Sequence, residues 1–96
     1  MEIIIRDKAF QWFKKEMDIE VGEAIRFYAR YGGSSPFHEA FSLGMNREQP
    51  HVIGVQTEVN GVIFYIEQDD LWFFNEHSLV VDVNEKLDEL QYDYKQ

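Results

Sequence analysis

Apolar and polar residues recur along this chain with periods that name its elements. Ile3-Ile4-Ile5 is a β-branched run and predicts a first strand. Phe10, Phe13 and Met17 then recur at helical spacing, with Lys8, Lys14 and Lys15 on the water side. This predicts a helix from an Asp7 N-cap to Met17, its apolar stripe widened by Trp12. From Ala24 to Tyr31 the period becomes two: Ile25, Phe27, Ala29 and Tyr31 form an apolar face, Arg26, Tyr28 and Arg30 the other. Gly32-Gly33-Ser34-Ser35-Pro36 interrupts it. The next strand is predicted from Phe37 to about Met45, with Phe37, Phe41, Leu43 and Met45 on one face. Glu39 falls among them, where a hydrophobe is expected.

Residues 46–50 form a loop. Two strands, Val52–Val59 and Val62–Glu67, flank Asn60-Gly61, the preferred dipeptide of a tight type I′ hairpin. Asp69-Asp70 then caps a short helix holding Leu71, Trp72, Phe73 and Phe74, with Asn75 as its left-handed terminator. Leu79–Val83 is a further strand, and beyond Asn84 the residues Leu87 and Leu90 share one face of a short acidic helix or tail. Strands cluster in the middle and do not alternate with helices, so the fold class is α+β. The expected architecture is a single domain over residues 1–96. In it, mixed and mostly antiparallel sheets form a sandwich or half-barrel carrying the N-terminal helix. Phe10, Phe13, Ile25, Phe27, Phe41, Leu43, Phe64, Ile66, Leu79 and Val81 are the expected core.

Composition narrows the function classes. Of 96 residues, 45% are hydrophobic and 16% aromatic, which excludes a disordered chain. The net charge of −9 argues against nucleic acid and anionic membrane as partners. All of that charge lies beyond residue 47, where the only bases are Lys86 and Lys95. Such asymmetry serves solubility or presents an acidic docking face to a protein partner. The absence of cysteine excludes disulfides, thiolate metal sites and a cysteine nucleophile. No apolar run has the length of a membrane span and no signal-peptide pattern opens the chain, so a cytoplasmic location is expected.

Few residues carry chemistry. Gly32, Gly33, Ser34 and Ser35 offer backbone N–H groups to a small ligand, with Arg30 adding charge and His38 close behind; the bland alternative is a hairpin loop. His38-Glu39 begins like a zinc-protease motif, but Ser42 stands where the second histidine belongs. His38, His51 and His77 lack ligand-like spacing, so no metal and no cofactor are assigned. Glu39 is expected to pair with Arg26 or Arg30 on the preceding strand. No nucleophile–base pair is recognisable, which points away from an enzyme.

The order of these parts resembles the HesB-like domain, the fold of A-type iron–sulfur carriers. The resemblance runs from Ile25 through Val83. It rests on the strand ending at Arg30, the Gly32-Gly33-Ser34-Ser35 loop in place of a Ser-Gly-Cys-Ser type loop, the strand Val62–Ile66, the short helix near Asp70–Asn75 and the strand Leu79–Val83. It implies the carriers' fold and homodimer formation by analogy. Ser34 stands at the first cluster-ligating cysteine and the C-terminal Cys-Gly-Cys is missing, so the cluster chemistry does not carry over. The chain is similar to a cysteine-free branch that acts by binding a protein or small ligand; the alternative is thiolate-free iron binding or an accessory role in cluster metabolism.

Overall fold

The β-branched opening run forms β1 (Ile3–Ile5), and the helical stripe forms α1 (Asp7–Met17). The chain continues as β2 (Ala24–Tyr31), β3 (Phe41–Arg47), β4 (Ile53–Val59), β5 (Val62–Glu67), a 3₁₀ helix (Gln68–Phe74), β6 (Ser78–Asn84) and β7 (Glu89–Lys95). These elements come from a computed structural model that describes all residues, Met1–Gln96. Two mixed sheets result, a four-stranded one in the order β3-β2-β5-β4 and a three-stranded one in the order β1-β6-β7. Each holds one parallel pair, β2–β5 and β1–β6, and every other pairing is antiparallel.

Phe64 on β5 lies at the centre of the core. Its ring is 5.1 Å from Phe13 and 6.4 Å from both Phe10 and Phe27. Helix α1 thus delivers its stripe onto the four-stranded sheet, as the 3.6-residue period requires. Eight of the ten expected core residues are buried, whereas Phe41 and Leu43 are only half-buried because β3 is a sheet edge. Asn60 and Gly61 both adopt positive φ, 49° and 83°, the geometry of a type I′ turn. Asn75 closes the 3₁₀ helix in the left-handed region at φ 48°.

Four local expectations need correction. Arg6, not Asp7, occupies the N-cap position of α1 and no side chain caps it; Asp7 lies in the first turn, where its charge suits the helix dipole. Likewise the 3₁₀ helix starts at Gln68 without a side-chain cap, and the Asp70 carboxylate turns to Arg26 instead. The strand predicted from Phe37 begins at Phe41. Ser35 closes a turn with His38, its N–H donating to the His38 carbonyl (2.9 Å) and its hydroxyl accepting from the His38 N–H (3.2 Å). A side chain that captures backbone groups in this way competes with ladder formation. Finally, the C-terminal segment is strand β7, paired along its length with β6. Leu90, Tyr92 and Tyr94 turn inward at alternate positions, and the Asn84 side chain accepts the Lys86 and Leu87 N–H groups to turn the chain.

Candidate functional site

The β2–β3 connection distributes the candidate ligand residues to two sides. Arg30 and Ser42 are cross-strand partners, and Arg30 Nη2 donates to Ser42 Oγ at 3.4 Å. Gly33, at φ 69°, lies against the same serine: a Cβ there would sit 3.2 Å from Ser42. Gly32, at φ 111°, uses its N–H on the Ala40 carbonyl (2.7 Å). Ser34 is exposed, and Ser35 is engaged in its turn with His38. His38 points elsewhere. Its ring lies 4.9 Å from Trp72 and 5.6 Å from Phe73, with its Nε2 enclosed and unpartnered. None of Arg30, Gly32, Gly33, Ser34, Ser35 and His38 lines a cleft; the largest, about 520 Å³, opens between α1 and the β4–β5 hairpin.

Around His38 the structure assembles an aromatic patch. Phe41 packs edge-on to Tyr31 (5.7 Å) and to Trp72 (5.2 Å), joining the end of β2 to the 3₁₀ helix. Tyr31 is 82% exposed and Trp72 49%. Alternation alone assigns Tyr31 to the apolar face of its strand, and Trp72 falls in the aromatic run of the short helix. Tyr31 closes the apolar alternation of β2 but lies past the last residue that pairs with β5, so nothing covers it. In the 3₁₀ helix Phe73 and Phe74 take the inward positions, which turns Trp72 outward.

A second polar group is closed on itself. Arg26 bridges Glu48 (3.0 Å) and Asp70 (2.8 Å) and lies over the Tyr28 ring at 5.4 Å. The Asp70 hydrogen bond, more than any other influence, raises the Arg26 pKa and holds the guanidinium charged. Tyr65 donates to the Glu48 carbonyl at 2.7 Å, and burial, aided by the Glu48 charge, pushes its phenol up to about 12. Glu67 accepts the N–H groups of His51 and Val52 and so fastens the β3–β4 connection. Every carboxylate in this group has a structural partner. Glu39, expected to pair with Arg26 or Arg30, is instead exposed in the loop and makes no ion pair, because the Ser35–His38 turn removes it from the strand.

The acidic half is also partly neutralised. Glu85 and Asp88, in the β6–β7 turn, pair with Lys8 and Lys15 of α1, and the Trp12 indole donates to the Asp88 carbonyl at 3.2 Å. Glu58, Asp69, Glu76, Glu89 and Asp93 remain exposed without an ionic partner. Nowhere do three His, Asp or Glu side chains converge as a metal site would need.

A protein of Bacillus subtilis (strain 168) named pyruvate dehydrogenase inhibitor is 41% identical over 95 residues, covering 99% of this chain and all of that protein. The chain belongs to the family of that protein. An uncharacterized protein of Staphylococcus saprophyticus is 34% identical over 95 residues, with 96% of this chain and 97% of that protein covered. One from Staphylococcus haemolyticus is 33% identical over 95 residues, covering 96% of each. No family model and no solved structure matches the chain. Within this family the named member is described as an inhibitor, not as an enzyme.

Proposed function

We propose that this chain is a non-catalytic regulator that binds a pyruvate dehydrogenase and lowers its activity. The observation that carries the reading is the full-length relationship to the Bacillus inhibitor. The surface supports it. Tyr31 and Trp72 are the residue types that dominate binding energy when a partner covers them, and Phe41 ties them into one patch. The free carboxylates steer the chain toward a basic partner and set its on-rate more than its affinity. A HesB-like architecture is part of the same proposal, supported by the hairpin loop at Ser34 and the short helix between β5 and β6. Thiolate-free iron binding, the alternative, has no converging donor set behind it.

The test is a titration of the purified chain into the Bacillus subtilis pyruvate dehydrogenase complex, following NADH formation. Inhibition is expected to saturate with dose, and binding is expected in parallel by calorimetry. Combined Tyr31→Ala and Trp72→Ala replacement should weaken inhibition by about 30-fold or more, since hot-spot residues cost roughly 2 kcal/mol or above. Neither binding nor inhibition at about 100 μM, weaker than a typical specific complex, would overturn the proposal.

A further inference from the structure

The segment Glu89-Leu90-Gln91-Tyr92-Asp93-Tyr94-Lys95 alternates strictly, with Leu90, Tyr92 and Tyr94 inward and the four polar residues exposed. It is the outermost strand of the β1-β6-β7 sheet. Beyond its ladder with β6 it makes no backbone hydrogen bond, so its outer row of N–H and C=O groups is unpaired. Such an edge is a template for another strand unless something blocks it. Glu89 and Lys95 stand at opposite ends of the exposed face, and neither has an ionic partner within the chain.

We propose that the outer edge of β7 is a dimerisation surface whose occupant is β7 of a second copy of this chain, the two three-stranded sheets joining across a twofold axis. A twofold axis normal to the sheet places each residue opposite one on the same face. The register that pairs the whole strand sets Tyr92 opposite Tyr92, Gln91 opposite Asp93, Leu90 opposite Tyr94 and Glu89 opposite Lys95. Charge selects the same register. Glu89 meets Lys95 twice, and each Asp93 carboxylate faces a Gln91 amide. A two-residue slip one way sets Glu89 against Asp93, and a slip the other way sets Asp93 against Asp93; like charges directly opposite are unfavourable. β3, one edge of the four-stranded sheet, has no such selection. Its arginine, Arg47, is already engaged with Glu23 and the Met17 carbonyl.

Sedimentation equilibrium over a wide concentration range tests this without reference to any enzyme. A reversible species of twice the 11.4 kDa chain mass is expected at high concentration. Lys95→Glu and Glu89→Lys, each placing like charges at both symmetry-related pairs, should raise the dimer dissociation constant about tenfold or more. The combined Glu89→Lys/Lys95→Glu chain restores opposite charges and should return it to within about threefold of the original. Both substituted positions are exposed, and circular dichroism checks that each variant is folded. A monomer at every concentration overturns the proposal. So does a dimer indifferent to the single changes, or a combined variant that stays as weak as either single one.

Discussion

Replacing Arg26 by Met tests the closed polar group directly, because the apolar stem is retained while the cation is removed. The Asp70 arm is the better sheltered: the Asp70 side chain is 14% exposed, against 30% for Glu48 and 25% for Arg26 itself. Hydrogen bonds to charged groups contribute roughly 1.5–3 kcal/mol, whereas surface ion pairs are worth about 0–1. The Asp70 arm should then contribute near 2 kcal/mol and the Glu48 arm less than 1, so Arg26→Met should cost about 2–3 kcal/mol. That is a large share of the stability, on the order of 5–14 kcal/mol, usual for a chain of this length. In thermal unfolding it corresponds to a fall in Tm of about 10–20 °C. Urea unfolding followed by circular dichroism at pH 7, repeated in high salt, measures both arms, and the Glu48 share should shrink with salt. A double-mutant cycle with Asp70→Asn isolates the Asp70 coupling. A loss below about 0.5 kcal/mol for Arg26→Met, or no coupling in the cycle, would refute the reasoning. Glu39→Gln supplies the contrast, since exposure without a partner leaves its effect within about ±0.5 kcal/mol.

Burial pushes the phenols of Tyr65, Tyr92 and Tyr94 up to about 12, above their ordinary value of 10.0. The unfolded chain therefore releases these protons first. Their contribution to stability is full below pH 10 and is lost as pH rises toward 12. Urea midpoints measured across that window should fall, and a flat profile would contradict the burial of these rings. Tyr65→Phe should flatten part of the fall while costing about 1 kcal/mol at neutral pH through its lost bond to Glu48. Phe64→Ala, at the meeting point of Phe10, Phe13 and Phe27, should cost about 3–5 kcal/mol in urea unfolding, and a cost near 1 would show that the core closes around the gap.

Local periodicity carried much of the fold. The stripe of Phe10, Phe13 and Met17 specified α1, and Asn60-Gly61 specified its hairpin, because neither signal depends on distant residues. The alternation from Glu89 to Lys95 is equally plain, but the acidic character of the segment masks it and suggests a helix or tail where β7 lies. Pairing with β6 supplied the hydrogen bonds that an isolated polar strand lacks.

The partners of the charged side chains were another matter. Glu39 is the residue singled out by its place among apolar neighbours, with Arg26 or Arg30 as its expected partner, yet Arg26 is engaged elsewhere. The carboxylates it meets belong to Glu48 and Asp70, brought in by the β3–β4 connection and the 3₁₀ helix. Strand register and the turn at Ser35 settle that choice, and both depend on contacts remote in sequence. The aromatic patch has the same origin. Composition revealed that aromatics were abundant, but whether Tyr31 and Trp72 are covered depends on where β5 stops and how the 3₁₀ helix turns. A residue's face follows from its local period, whereas its burial depends on which other element reaches that face in three dimensions.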